Sequence, residues 1–199
     1  MAQIEIGRLL RAGTTGFTAG CRVSQFSVPA FGELVRAPLG DSYQVYGLIY
    51  DIHIEDDGLV RQLVTSENIS NEVLRDNRER RIVPVEMAVM AIGFEQDGKI
   101  YHLLPPRPPL SLDVIYSCDD GDVARFTSAG RFGYFRHILN SKEAPIGELM
   151  AAHLAQAALA HGSRGDQWRE NATHELITLL RDDYSTLMAV LGALSDVSA

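Results

Sequence analysis

The sequence predicts an α+β fold, with strands in the N-terminal part and helices in the C-terminal part. Up to about residue 118, short apolar runs alternate with Gly, Pro, Asp and Ser, a pattern typical of strands and turns. Toward the C-terminus, apolar residues instead recur with helical spacing. We therefore expect a small β domain over residues 1–118, a connecting segment over 119–140 and a helical hairpin over 141–199.

The first strands are marked by turns and by runs of apolar residues. Segments 4–10 and 17–23 flank a Gly-Thr-Thr-Gly turn and are expected to pair as a hairpin. Another strand is expected at 32–36. The run 43–52 is apolar or aromatic on both faces, so this strand is expected to be covered on both sides or enclosed in a barrel.

A second hairpin is expected at Asp97-Gly98, the strongest short turn signal in the chain. Strands at 86–94 and 99–104 flank it. The same stretch carries glycines and a lysine at the spacing of a phosphate-binding loop, but Ile100 stands where such a loop needs Ser or Thr for magnesium. The stretch is therefore interpreted as a turn, and no nucleotide hydrolysis is expected from it.

A polar segment at 66–81 separates the two groups of strands. Its apolar residues fall at helical spacing, which predicts a short helix or ordered crossover that ends in a charge run. Acidic residues alternate with the basic ones, which favours a solvated, locally paired face over a phosphate-binding patch. The candidate contact residues of this run are Arg75, Arg78, Arg80 and Arg81.

Four prolines surround Arg107 in the segment 104–109. Because proline fixes φ and removes a hydrogen-bond donor, this segment is expected to be extended and to present Arg107 rigidly. It is either a stiff connection across the end of a barrel or an arm that docks on a partner. A further strand is expected to follow at 113–118.

Two amphipathic helices are expected at the C-terminal end. One apolar stripe begins after Pro145 and stops at Gly162, and a second runs from Trp168 to Leu194. A helical hairpin of this kind would bury its apolar stripe on the barrel or on a second copy of the chain. The candidate contact residues on the stripe are Leu187, Met188 and Leu191.

The composition is that of an ordinary soluble globular protein, with 46% hydrophobic residues and a net charge of −8. The acidic total argues against a protein that coats nucleic acid through bulk charge. No export signal and no transmembrane run is evident, so we expect a cytoplasmic protein with no membrane partner. Cys21 and Cys118 are accordingly expected to be reduced thiols rather than a disulfide.

No motif with catalytic or metal-ligand spacing is found, so we expect no catalytic residue, no cofactor and no metal site. The six histidines show no paired helical spacing and are expected to be core or surface residues. An enzyme of another type would require His102, Arg107 or Asp51 to meet in one pocket.

The strands of the first half also resemble a known family. The matching stretches are Ile6–Leu10, Thr14–Phe17, Phe31–Val35 and Val45–Ile52. They resemble the HAS-barrel family, the small β-barrel shared by HerA-type helicase ATPases and F-type ATP synthase subunits. The whole chain is similar to stand-alone bacterial members that have no ATPase domain. The resemblance implies a closed N-terminal β-barrel that works in assembly, with a HerA-like ATPase supplied by another chain.

Two functional hypotheses follow from these patterns. The first is a non-enzymatic assembly or adaptor protein whose barrel contacts a HerA-like ATPase or a second copy of the chain. The alternative is a small-barrel module that binds nucleic acid through aromatic and basic side chains, with Tyr43, Tyr46, Tyr50 and Tyr101 as its aromatic residues. Most of these tyrosines are expected to be core residues.

Overall fold

The computed structural model describes residues 4–24, 29–54 and 82–197. The strands in these ranges are β1 Glu5–Ala12, β2 Gly16–Ser24, β3 Leu34–Pro38, β4 Tyr43–Ile54, β5 Ile82–Gln96, β6 Lys99–Tyr101 and β7 Val114–Ser117. The helices are α1 Asp120–Ser128, α2 Phe135–Leu139, α3 Ile146–Ala160, α4 Gly165–Leu179 and α5 Tyr184–Val197, with a 3₁₀ turn at Gly162–Arg164. The predicted crossover helix at 66–81 lies outside the described residues.

Six strands close into an antiparallel barrel. Their order around the ring is β1-β7-β3-β4-β5-β2, and β2 pairs back onto β1. The short strand β6 pairs with β5 beyond the end of the β2 pairing and stays outside the ring. The predicted α+β class, with an N-terminal barrel followed by helices, is confirmed. The long strand predicted at 43–52 is part of this barrel, as one of its two expected arrangements requires.

Both predicted hairpins are present. The turn between β1 and β2 is closed by a hydrogen bond from the Gly13 N–H to the Gly16 carbonyl, 2.8 Å. The turn between β5 and β6 places Asp97 at φ 52° and Gly98 at φ 77°. Two successive positive φ values define the type I′ turn that suits the twist of a hairpin. The strand-like context of this glycine and lysine stretch is therefore confirmed.

The apolar side chains form two layers that share strand β4. On one face, Val45 and Ile49 join the apolar cluster inside the barrel. On the other face, Tyr46 and Leu48 join a second cluster together with residues of all five helices. Successive strand residues point to opposite faces, so the two-sided apolar pattern of this strand reports burial under the helices as well as inside the barrel.

The C-terminal region holds three helices, so the expected hairpin of two helices is wrong in detail. The predicted second helix is interrupted between Leu180 and Asp183. The Asp183 side chain accepts hydrogen bonds from the Thr186 N–H, 3.1 Å, and from its hydroxyl, 2.7 Å. A carboxylate in this position caps a helix N-terminus, so a new helix starts here although the apolar spacing continues across the break.

The segment 119–140 contains the helices α1 and α2 as well as turns. Its side chains Phe126, Tyr134, Phe135 and Ile138 are fully buried between the barrel and the longer helices. Cys21 and Cys118 are both free cysteines, as the sequence predicts, and both are half-buried. Among the described residues, no helix is both long enough and apolar enough to span a bilayer.

Candidate functional site

The proline-containing segment lies over one end of the barrel, and we call residues 102–113 the arm. Pro105 and Pro109 are buried, whereas the leucines beside them point outward. The exposed fractions of these leucines are 51% at Leu103, 42% at Leu104, 66% at Leu110 and 71% at Leu112. The arm therefore turns two of its four prolines toward the protein and its leucine side chains toward solvent.

The arm is fixed at both its middle and its end. The Tyr43 hydroxyl donates to the Arg107 carbonyl, 3.0 Å, and the Arg107 guanidinium lies 5.4 Å from the centre of the Tyr43 ring. Farther along, the Leu112 N–H donates to the Leu9 carbonyl, 2.8 Å, and the Leu9 N–H donates to the Asp113 carbonyl, 2.9 Å. These bonds join the arm to the strands β4 and β1 through its backbone, while the side chain of Arg107 is exposed.

Leu112 has an unusual backbone conformation. Its φ is 71°, and it lies in a turn that the Asp113 N–H closes on the Leu110 carbonyl, 3.1 Å. This turn position favours glycine, since left-handed backbone costs a residue with a side chain about 1 kcal/mol or more. The leucine side chain gains little burial in return. Its backbone fastens the arm to β1, since its N–H donates to the Leu9 carbonyl and its carbonyl accepts from Arg8, 3.2 Å, but its exposed side chain adds little to the fold.

A polar network below the arm joins the barrel to helix α1. Arg125 makes two parallel hydrogen bonds to the Glu95 carboxylate, 2.7 and 2.9 Å. The same carboxylate accepts from the Gln44 amide, 2.5 Å, and from the Tyr46 hydroxyl, 2.9 Å. These donors hold Glu95 ionised, and the hydrogen bonds from Arg125 are the main cause that lowers its pKa to about 2.

Burial raises the pKa of Tyr46 far above its ordinary value, so the hydroxyl keeps its proton and serves as a donor to Glu95. Nearby, Arg36 donates to Asp122 of α1, 3.0 Å, and its guanidinium faces the ring of Tyr116. Every charged group of this network has an opposite charge within reach. The arrangement is that of a structural clamp between barrel and helix, since its acid and base are already paired with each other.

This network could not be predicted from the sequence. Its members lie at positions 44, 46, 95 and 125, so no local spacing joins them. Glu95 attracts notice in the sequence only because it sits in the stretch that imitates a phosphate-binding loop. The pairing becomes visible once β4 and β5 are in register, with Gln44 opposite Glu95.

The candidate contact residues are not gathered at one place. Leu187 and Leu191 are half-buried, and Met188 of the same helix is 49% exposed. Their helix α5 packs against α3, where the backbone of Ala189 approaches Gly147. The predicted contact residues Arg75, Arg78, Arg80 and Arg81 lie outside the described residues.

The residues considered for an enzyme are held by separate neighbours. The His102 ring packs on Phe126 and is hydrogen-bonded to its carbonyl, 3.0 Å. Arg107 lies on Tyr43, and Asp51 is exposed on β4. Across the described ranges, no three His, Cys, Asp or Glu side chains come together in a way that could hold a metal ion.

The tyrosines that the nucleic-acid hypothesis requires mostly make contacts within the protein. Tyr43 and Tyr46 are buried. Tyr101 is half-buried and stacks on Phe94 at a centroid distance of 4.9 Å. The hydroxyl of half-buried Tyr50 donates to Glu143, 3.0 Å. Two of these four tyrosines are thus core residues and two are partly buried against the core, so the prediction that most of them are core residues holds for half of them.

Comparison with known proteins does not assign the chain to a family. No family model matches the chain, and no curated protein matches it. The arm and the surface around it are therefore the features of the protein that bear on its function.

Proposed function

We propose that this chain is a non-enzymatic cytoplasmic assembly protein and that the arm over the barrel end is its contact surface. The partner that we propose is a HerA-like ATPase supplied by another chain, as the HAS-barrel resemblance implies. The observation that carries the proposal is Leu112, an exposed leucine held at a backbone angle that favours glycine. Strained residues mark sites where the surrounding structure serves something other than stability.

The closed barrel supports this choice of surface. An open sheet edge could take up a partner strand through its backbone, but each of the six ring strands already has a neighbour on both sides. The strand β6 lies outside the ring but has only three residues, so contact through side chains is the main route. On the arm, Leu103, Leu104, Leu110 and Leu112 supply apolar side chains, and Arg107 supplies a cation beside them. Apolar residues together with arginine are typical of the centres of protein interfaces.

The first test is co-expression with the HerA-like ATPase of the same genome, followed by size-exclusion chromatography with light scattering. We expect a stable complex. The double variant Leu110→Ser with Leu112→Gly should weaken this complex at least about tenfold, because two exposed apolar anchors are removed. Leu112→Gly should also leave the monomer folded, since glycine accepts the backbone angle of this turn.

Leu159→Ser is the matched control. Leu159 is 80% exposed on helix α3 and is not part of the arm, so its loss should leave the complex unchanged. The proposed surface is wrong if the arm variant binds the ATPase as well as the wild type does. The proposed partner is wrong if the wild-type protein forms no complex with the ATPase.

A further inference from the structure

A second surface, which we call the hairpin cleft, lies between the β1–β2 turn and residues 136–143 around the end of helix α2. Its volume is about 740 Å³, within the range of sites that bind small organic ligands. Tyr50 of β4 stands at its side. Tyr50 is the extra residue of a bulge, since Ile49 pairs with Val89 and Asp51 pairs with Ala88. Bulges redirect side chains and are frequent beside functional sites.

The cleft is cationic although the protein is acidic. Arg11, Arg136 and Lys142 line it. All three are exposed, and none forms an ion pair with another described residue, whereas Arg36 and Arg125 are paired with carboxylates. Glu143 is the one carboxylate among the described lining residues, and its Oε2 is occupied by the Tyr50 hydroxyl. In a chain of net charge −8, this is a local concentration of positive charge.

The two guanidinium groups are oriented by neutral partners. The Arg11 Nε donates to the Thr18 hydroxyl, 3.0 Å. Arg136 donates to the carbonyl of His102, and the His137 ring nitrogen lies 3.3 Å from the same oxygen. These bonds use one or a few of the five N–H groups of each arginine and leave others for a ligand. Pre-oriented guanidinium groups are well suited to bind phosphate oxygens in pairs.

The inner wall of the cleft is partly apolar. Phe17, Met90 and Leu104 contribute to it, and the Tyr50 ring lies beside them. A free inorganic anion would use the cations and leave this wall uncovered. A ligand that combines a phosphate group with a planar or apolar body would use both.

We infer that the hairpin cleft binds a phosphorylated small molecule about the size of a mononucleotide. Its phosphate would lie among Arg11, Arg136 and Lys142, and its body would cover the apolar wall. This site does not depend on the arm as a protein contact surface. Leu104 lines the cleft and also belongs to the arm, whereas Leu110 and Leu112 do not line the cleft.

The test is calorimetric titration of the full chain with the four nucleoside monophosphates, with inorganic phosphate and with the corresponding nucleosides. At least one monophosphate should bind more tightly than inorganic phosphate and than its own nucleoside. Arg136→Gln and Lys142→Gln should each lower this affinity about tenfold or more, the loss of one charge-assisted contact. Glu143→Gln should raise it, because a negative charge beside the phosphate is removed.

Arg164→Gln serves as the control, since it removes an exposed arginine at the start of helix α4 and outside the cleft. The inference is overturned if no monophosphate binds, or if inorganic phosphate binds equally well. It is also overturned if the control lowers affinity as much as the cleft variants do. Much tighter binding of a single-stranded oligonucleotide than of any monophosphate would replace the small-molecule site with a nucleic-acid surface.

Discussion

Individual polar side chains decide how the helices are joined to the barrel. The Arg125 pair with Glu95 and the Arg36 pair with Asp122 both run between helix α1 and the barrel strands. Their side chains are at least partly shielded from water, and removing one partner would leave the other charge unpaired beside the core. Such a loss costs more than the pair itself contributes. The clamp therefore fixes the position of the helix more than it adds net stability.

His153 is a different kind of polar residue, because it is neutral inside the helical core. Its side chain is 1% exposed, and its Nε2 lies 3.0 Å from the Tyr134 hydroxyl. The backbone of Gly32 favours the protonated imidazole, but burial outweighs this effect. Burial lowers the pKa of His153 to about 4.

This lowered pKa predicts an acid-sensitive core. Below pH 6.5 the unfolded chain protonates this histidine while the folded chain does not, so the free energy of unfolding falls as pH decreases from about 6.5 to 4. The fall reaches about 1.4 kcal/mol per pH unit. His153→Gln should reduce this pH dependence. Urea unfolding at pH 7 and at pH 5 would measure it.

The exposed His174 is the control for this prediction. His174→Gln removes a histidine that lies outside the core, on helix α4. We expect the control to keep the pH dependence of the wild type. Equal pH dependence in His153→Gln and in the wild type would show that burial of His153 does not make the core acid-sensitive.

At the level of elements, the close approach of α1 to the sheet depends on a glycine. A Cβ at Gly93 would lie 2.7 Å from the Tyr101 carbonyl oxygen and 2.8 Å from the Phe126 ring. Gly93 of β5 therefore lies against β6 on one side and against α1 on the other. The strand and the helix can therefore meet only where no side chain intervenes.

Gly93→Ala should lower the free energy of unfolding by about 1–3 kcal/mol, the usual cost of overpacking. Gly192→Ala is the matched control, since its added methyl group meets no atom within 4 Å in helix α5. Alanine is favoured over glycine in a helix, so the control should raise the free energy of unfolding by about 0.5–1 kcal/mol. Equal changes in the two variants by urea unfolding would contradict the close contact.

Secondary-structure elements were predictable from the sequence where neighbouring residues determine them. The Asp97-Gly98 turn follows from two adjacent residues, and the break in the strands around Arg107 follows from the prolines beside it. The break before helix α5 was not predicted, because the helical spacing of apolar residues continues across it. The sequence does contain the residues of the helix cap, Asp183 and Thr186. Two features depend on contacts between segments that are distant in the sequence: the outward direction of the leucines on the arm, and the hairpin cleft. Periodicity carries no information about those contacts.

At the scale of the whole molecule, the barrel and the helices are joined through strand β4. Its residues Val45 and Ile49 lie inside the barrel, while Tyr46 and Leu48 lie under the helices. Removing the helices would expose the outer apolar face of this strand and of its neighbour β5. Burial of apolar surface is the main stabilising contribution to folding, so the two layers depend on each other.

This shared strand predicts a single cooperative unfolding transition for the whole chain. Trp168 is the only tryptophan, and it lies in helix α4 in contact with Phe132, so its fluorescence reports on the helical layer. The NMR methyl signals of Val45 and Ile49 report on the barrel interior. Both probes should give the same urea midpoint, as in a two-state protein. If the helices unfolded first while the methyl signals stayed native, the barrel would be an independent domain, and the apolar face shared through β4 would contribute little to its stability.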